Sequence, residues 1–119
     1  NALRYLEAQN GANQTSELMA TPETKDGFDI LYAMDAYHNI KAGQVYPNTM
    51  IVVGLNDQRV APWESAKFVA KMQATASKTS LTLLRASQGE GHGIGSTRDQ
   101  ALLRTADVWS FFLREFAAD

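Results

Sequence analysis

Asp57 and His92 are the residues whose types and surroundings point most directly to chemistry. Asp57 stands in the acidic turn Asn56-Asp57-Gln58-Arg59-Val60, and His92 follows thirty-five positions later in Gly89-Glu90-Gly91-His92-Gly93-Ile94-Gly95. A carboxylate that accepts a hydrogen bond from imidazole Nδ1–H fixes the tautomer and stabilises the imidazolium. Nε2 is then free to act as a general base toward a hydroxyl nucleophile. Asp before His is the order in which one class of Ser…Asp…His triad runs along its chain. The hydroxyl itself is missing from the pattern. None of the seven serines has glycine both two before and two after it, so there is no Gly-x-Ser-x-Gly elbow. The residues read as the back end of a serine hydrolase rather than a whole one.

Plainer roles are open to the same side chains. An Asp in a turn ordinarily hydrogen-bonds its own backbone two or three residues on. A lone His in a loop is ordinarily solvated, although Gly91 and Gly93 around His92 would let the backbone bend sharply there. Arg59 suits a surface ion pair. His38, which precedes the strands rather than capping one, suits a structural hydrogen bond. Two separated histidines and no cysteine offer no zinc set. The glycines of the His92 loop match neither Gly-x-Gly-x-x-Gly nor a P-loop, so no cofactor is expected.

The elements around Asp57 and His92 can be read from patterning. Thr49-Met50-Ile51-Val52-Val53-Gly54 is a continuous β-branched and apolar run between Pro47 and Gly54, as in a parallel strand covered on both faces. Pro62 suits the first turn of a helix, with Glu64 near its positive end and Phe68, Val69 and Met72 as an apolar stripe through about Ala76. A second strand is expected over 81–84, followed by the glycine loop. Thr97-x-x-Gln100 is a capping-box pattern opening a last helix. Along it Leu102, Ala106, Trp109, Leu113 and Phe116 form a stripe that reads as core. Strand, helix, strand, helix implies a right-handed parallel crossover. Asp57 and His92 then fall just beyond the ends of adjacent strands, the edge where open α/β sheets gather functional groups. Upstream, residues 3–6 suit the tail of a strand or a helix, and about 9–25 is a polar loop or insertion. Phe28, Leu31 and Tyr32 mark a short amphipathic helix up to about Ala36.

Composition narrows the class. The 119 residues suit one domain-sized unit, and 45% hydrophobic content can fill a core. A net charge of −2 with scattered basic residues argues against nucleic acid or an acidic membrane surface as partner. The absence of cysteine excludes disulfides but does not separate cytoplasm from periplasm. No apolar run approaches the ~20 residues of a membrane span, and no signal-peptide pattern opens the chain. Asn1-Ala2 ahead of Leu3 reads either as a cloning remnant or as a native proteolytic end.

Four segments in order resemble the prolyl oligopeptidase family of serine peptidases. Asn56-Asp57-Gln58-Arg59-Val60-Ala61-Pro62 resembles the family's His-Asp-Asp-Arg-Val-Val-Pro, and Gly91-His92-Gly93 its Ala-Gly-His-Gly. Ala36-Tyr37-His38-Asn39-Ile40-Lys41 is similar to its Ser-Pro-Tyr/Leu-His-Asn-Val-Lys. Leu3-Arg4-Tyr5 resembles the strand end that follows the nucleophile region. The resemblance covers nearly the whole chain and implies an α/β fold, namely the C-terminal portion of an α/β-hydrolase domain with parallel strands and crossover helices. It implies Asp57 as triad acid and His92 as triad base. Arg59 would hydrogen-bond a substrate backbone carbonyl, and Val60 would line the proline-accepting S1 pocket. Asn56, Gln58 and Ala61 depart from the family's usual residues and leave specificity open. Gly54-Leu55-Asn56-Asp57 together with Trp63-Glu64-x-Ala66-Lys67-x-Val69-Ala70-Lys71 also resembles oligopeptidase B, which cleaves after basic residues.

These readings carry further expectations. The implied substrate is a short peptide, processed by acyl-enzyme chemistry in a full-length parent, while residues 1–119 alone are expected to be inactive. The strand Thr49–Gly54 is expected to keep a bare edge, which favours self-association. Two other classes fit the Asp…His order or the α/β pattern. One is another hydrolase branch, such as a dienelactone-hydrolase-like esterase. The other is a non-catalytic interaction domain such as a receiver, which lacks support here because no acidic cluster follows the first strand.

Overall fold

The computed structural model describes residues 1–7, 11, 17–93 and 95–117. Of the polar loop or insertion expected at about 9–25, residues 9, 10 and 12–16 lie outside them. The chain opens with a 3₁₀ helix, Ala2–Glu7, kinked at Arg4. The strand end that the resemblance suggested for Leu3-Arg4-Tyr5 is thus a helical turn, whose Tyr5 ring is buried and whose hydroxyl donates to the Ala20 carbonyl. Helix α1, Lys25–Met34, starts at Thr24, whose hydroxyl accepts the Gly27 N–H. Its Leu31 is fully buried and packs with Tyr5 and Ala20 into a small cluster joined by Leu3, Leu6 and Leu18. Phe28 and Tyr32, on the same expected stripe, remain half exposed and stack on one another instead.

Strand β1, Thr49–Gly54, has the expected bounds, and it pairs in parallel with β2, Thr82–Ser87, from Thr49 opposite Thr82 to Gly54 opposite Ser87. Between them runs helix α2, Pro62–Thr75, with Pro62 at its start and Glu64 in its first turn. α2 packs on both strands. Its Val69 and Met72 are buried, and Met72 joins Ile40 and Ala76 in a second cluster flanked by Tyr46 and Phe68. Helix α3, Arg98–Phe116, opens on the expected capping box: the Thr97 hydroxyl accepts the Gln100 N–H while the Gln100 side chain accepts the Thr97 N–H.

Two expectations about packing are corrected. Thr49–Gly54 is not covered on both faces: most of its residues are only partly buried, and Val52 is exposed. The α3 stripe is not core either. No described residue of α3 is buried, and Leu102, Trp109, Leu113 and Phe116 are 57–77% exposed. The helix is held by polar contacts instead, Arg85 to Asp107 at 2.7 Å and Asn48 to Glu115 at 2.5 Å. An open gap of about 400 Å³ lies between its Phe111 and Arg114 and strand residues Met50 and Leu83. The molecule is accordingly a slab of 46 × 37 × 20 Å with a radius of gyration of 16.5 Å. A closed domain of this length would have about 13.5 Å. The sheet has two strands among the described residues and offers α3 too little apolar surface, so the stripe faces outward. Among the described residues the second edge of β1 is unpaired, as expected.

Candidate functional site

Both parallel strands deliver their following turns to one edge of the sheet. After β1 the chain turns at once, with the Asp57 N–H donating to the Gly54 carbonyl at 3.2 Å. Asp57 Oδ1 then accepts the N–H groups of Arg59 and Val60, each at 2.9 Å. That is the plain turn role its type predicts. Its other oxygen, Oδ2, lies 2.8 Å from His92 Nδ1. The two readings of Asp57 are therefore compatible: one oxygen shapes the turn and the other meets the imidazole.

The His92 loop reaches this position through close backbone docking. Leu55 N–H donates to the Ser87 carbonyl at 2.9 Å and Asn56 N–H to the Glu90 carbonyl at 3.0 Å, which stitches the loop to the Asp57 turn. Such an approach requires glycine at the end of β1, because a Cβ on Gly54 would lie 2.3 Å from the Glu90 carbonyl oxygen. Gly93 bends the chain beyond His92 with φ +71°, and its N–H donates to the Gly91 carbonyl. Gly91, which the sequence suggested as a second such hinge, is not in the left-handed region; Gly89, Gly93 and Gly95 are.

The Asp57 side chain is mostly buried and that of His92 is about half exposed. The Asp57 carboxyl is held below the usual carboxylate range. The Val60 N–H is the largest cause, burial opposes it, and the His92 ring and the Arg59 N–H add to the lowering. With Nδ1 committed to Asp57, the Nδ1–H tautomer leaves the Nε2 lone pair available. His92 lines an open cleft of about 490 Å³ with Asp57, Val60, Ser65, Glu90 and Arg104. A second large group could enter here. Val60 thus lies in the cleft wall, half exposed. The Arg59 side chain is exposed and makes no ion pair among the described residues, so the surface-pair reading of it is not met.

Glu90 and Arg104 carry no role in the sequence reading, yet they form part of the same wall. The Glu90 carboxylate is 3% exposed and pairs with Arg104 Nη1 at 3.2 Å. No local pattern could have matched a loop Glu to a helix Arg fourteen positions on. His38 is apart from the cleft, bonded through Nδ1 to the buried Asp35, a structural hydrogen bond as its position suggested. Among the described residues no three metal-ligating side chains converge.

A profile of the prolyl oligopeptidase family matches residues 3–119. The chain belongs to the prolyl oligopeptidase family. It is 35% identical over 113 residues to the prolyl endopeptidase of Elizabethkingia miricola, covering 95% of this chain and 16% of that protein. A prolyl endopeptidase solved in a study of inter-domain dynamics superposes with a TM-score of 0.87 at 28% identity, covering 95% of this chain and 16% of the other. Oligopeptidase B from Leishmania major superposes with a TM-score of 0.56 at 35% identity, over 60% of this chain and 10% of the other. The fold is thus the C-terminal portion of an α/β-hydrolase domain, with the parallel pair and crossover helix its family shares. The chain spans about one sixth of the length of the relatives it matches.

Proposed function

We propose that this chain supplies the acid and the base of a serine peptidase whose nucleophile lies outside these 119 residues. The observation that carries the reading is the 2.8 Å contact of His92 Nδ1 with Asp57 Oδ2 at the ends of two adjacent parallel strands. In this mechanism a serine hydroxyl passes its proton to His92 Nε2 as its oxygen attacks the scissile carbonyl. Asp57 stabilises the imidazolium that results. His92 then gives the proton to the departing amine, and the acyl-enzyme forms. Water repeats the sequence in reverse order of roles, releasing the acid product and the serine.

The substrate class is a short peptide. Arg59, exposed beside the cleft, is assigned to a substrate backbone carbonyl, and Val60 in the cleft wall to the S1 residue. Proline at that subsite is favoured over a basic residue because the prolyl endopeptidase likeness extends over nearly the whole chain, whereas the oligopeptidase B likeness stops at 60% of it. Alone, the chain forms no acyl-enzyme, because no Gly-x-Ser-x-Gly elbow is present.

The test is a graft in which this chain replaces the matching segment of the Elizabethkingia miricola enzyme. A folded graft should hydrolyse a chromogenic Gly-Pro ester and lose that activity with His92→Ala or Asp57→Asn. The chain by itself should give no turnover. Turnover by the chain alone that His92→Ala abolishes, or a graft indifferent to His92→Ala, contradicts the proposal.

A further inference from the structure

The Asp57–His92 contact depends on two loops that have no regular structure of their own, so something must hold them in register. Glu90 makes three connections that bear on this. Its carbonyl accepts the N–H of Asn56, the residue before Asp57, at 3.0 Å. Its carboxylate pairs with Arg104 of α3 at 3.2 Å, and Arg85 of β2 approaches the same oxygen at 3.9 Å. It precedes His92 by two residues in the same loop. One residue thus ties together the Asp57 turn, the His92 loop, the end of β2 and the last helix.

The surroundings offset part of the cost of a charge here: Glu90 Oε2 meets Arg104 and Arg85, while Oε1 is buried with no hydrogen-bond partner among the described residues. A carboxylate this deeply buried is costly unless paired and hydrogen-bonded, and removing one partner leaves the other unpaired. Burial works against ionisation of Glu90. The Ser87 hydroxyl, the Arg104 guanidinium and the Ser96 hydroxyl outweigh it and hold the carboxyl below the usual range. Arg104 is itself oriented, donating to the Ser96 hydroxyl at 3.1 Å, and Arg85 is anchored on Asp107 at 2.7 Å. α3 has no buried residue, so this polar network is a main attachment of the helix to the sheet edge.

We infer that Glu90, held by Arg104, is a positioning residue that keeps His92 Nδ1 against Asp57. This rests on the acid–base reading of that pair above. A positioning role differs from a through-space effect of charge in one respect that can be measured. Glu90→Gln and Arg104→Gln remove opposite charges but break the same tie. If position is what matters, both variants loosen the His92–Asp57 bond and lower the His92 titration midpoint. If only charge matters, Glu90→Gln lowers the midpoint and Arg104→Gln raises it.

The experiment is nitrogen-15 NMR of the His92 ring in the 119-residue chain as a function of pH, with Asp57→Asn as the control. The expected result is a dominant Nδ1–H tautomer in the unsubstituted chain. Both variants should show a mixed tautomer population, with exchange of that proton faster by roughly tenfold, the order set by one charge-assisted hydrogen bond. Arg104→Lys, which keeps the charge, should restore part of the tautomer preference. Should Glu90→Gln fail to give a cooperative thermal transition, the two Arg104 variants decide. An unchanged tautomer in the folded variants, or midpoints that move in opposite directions, overturns the inference. If Asp57→Asn also leaves His92 unchanged, it is the acid–base reading that fails; if Asp57→Asn alone moves it, only the role of Glu90 fails.

Discussion

Gly54→Ala tests whether the approach of the His92 loop to the end of β1 sets the geometry of the site. The added Cβ would meet the Glu90 carbonyl oxygen at 2.3 Å, the Gly91 carbonyl oxygen at 2.5 Å and the Glu90 carbonyl carbon at 2.7 Å. All three are backbone atoms, so no side chain can rotate away. Restoring ordinary contact, which begins near 3.4 Å, requires the loop to retreat by about 1 Å. That motion lengthens the Asn56 N–H to Glu90 contact from 3.0 Å and draws His92 from Asp57. Overpacking of this kind costs about 1–3 kcal/mol. For a chain of this length that corresponds to a melting midpoint lower by roughly 4–12 °C. A shift of about 1 Å in a catalytic group can cost on the order of 10²-fold in rate, so kcat of the graft should fall by about that factor with KM little changed. Differential scanning fluorimetry and ester hydrolysis measure the two effects. A variant with an unchanged melting midpoint and unchanged kcat refutes the reasoning, because it would mean that the loop does not dock on Gly54.

Other outcomes follow from the same contacts. Asp57, Glu90 and Asp35 all have carboxyls lowered in the folded chain, so their contribution to stability is present above the unfolded carboxylate range of about 4 and is lost as pH falls through the folded values. Melting followed from pH 7 to pH 3 should therefore show a steep loss at the acid end, shallower in Asp57→Asn. Thr97→Ala removes the capping box of α3 and should cost about 1 kcal/mol, read as faster amide exchange over the first turns of that helix. The outward stripe of Trp109, Leu113 and Phe116, with the unpaired edge of β1, should make the chain self-associate in sedimentation as concentration rises, and Leu113→Lys with Phe116→Glu should reduce this. A compact monomer at high concentration would count against that expectation.

The sequence made the elements more legible than their packing. Pro47 and Gly54 bracket β1, Pro62 starts α2, and Thr97 with Gln100 opens α3, because each is a local backbone device read within a few residues. The strand expected over 81–84 shows the limit of such reading. It starts one residue later because Leu81 N–H donates to the Asn48 side chain at 2.7 Å rather than to the ladder. It runs on to Ser87 because Arg85, which breaks the apolar run, is satisfied by Asp107. The α3 stripe shows a different limit. Amphipathic spacing reports which face a helix is built to cover, and nothing in the spacing states that a partner surface is present. The Asp57–His92 pairing was legible from loop chemistry and strand order. Glu90 was not, since its meaning depends on Arg104 and Asn56, far from it in sequence.

The proposed acid–base role of His92 is most directly tested by the rate at which a fluorophosphonate esterifies the serine of the graft. That reaction needs the hydroxyl to be deprotonated and needs neither peptide specificity nor product release. The account predicts rapid labelling of the folded graft, slowed by roughly 10⁴-fold or more in His92→Ala and to a smaller degree in Asp57→Asn. Labelling of the His92→Ala graft at the unsubstituted rate would contradict it.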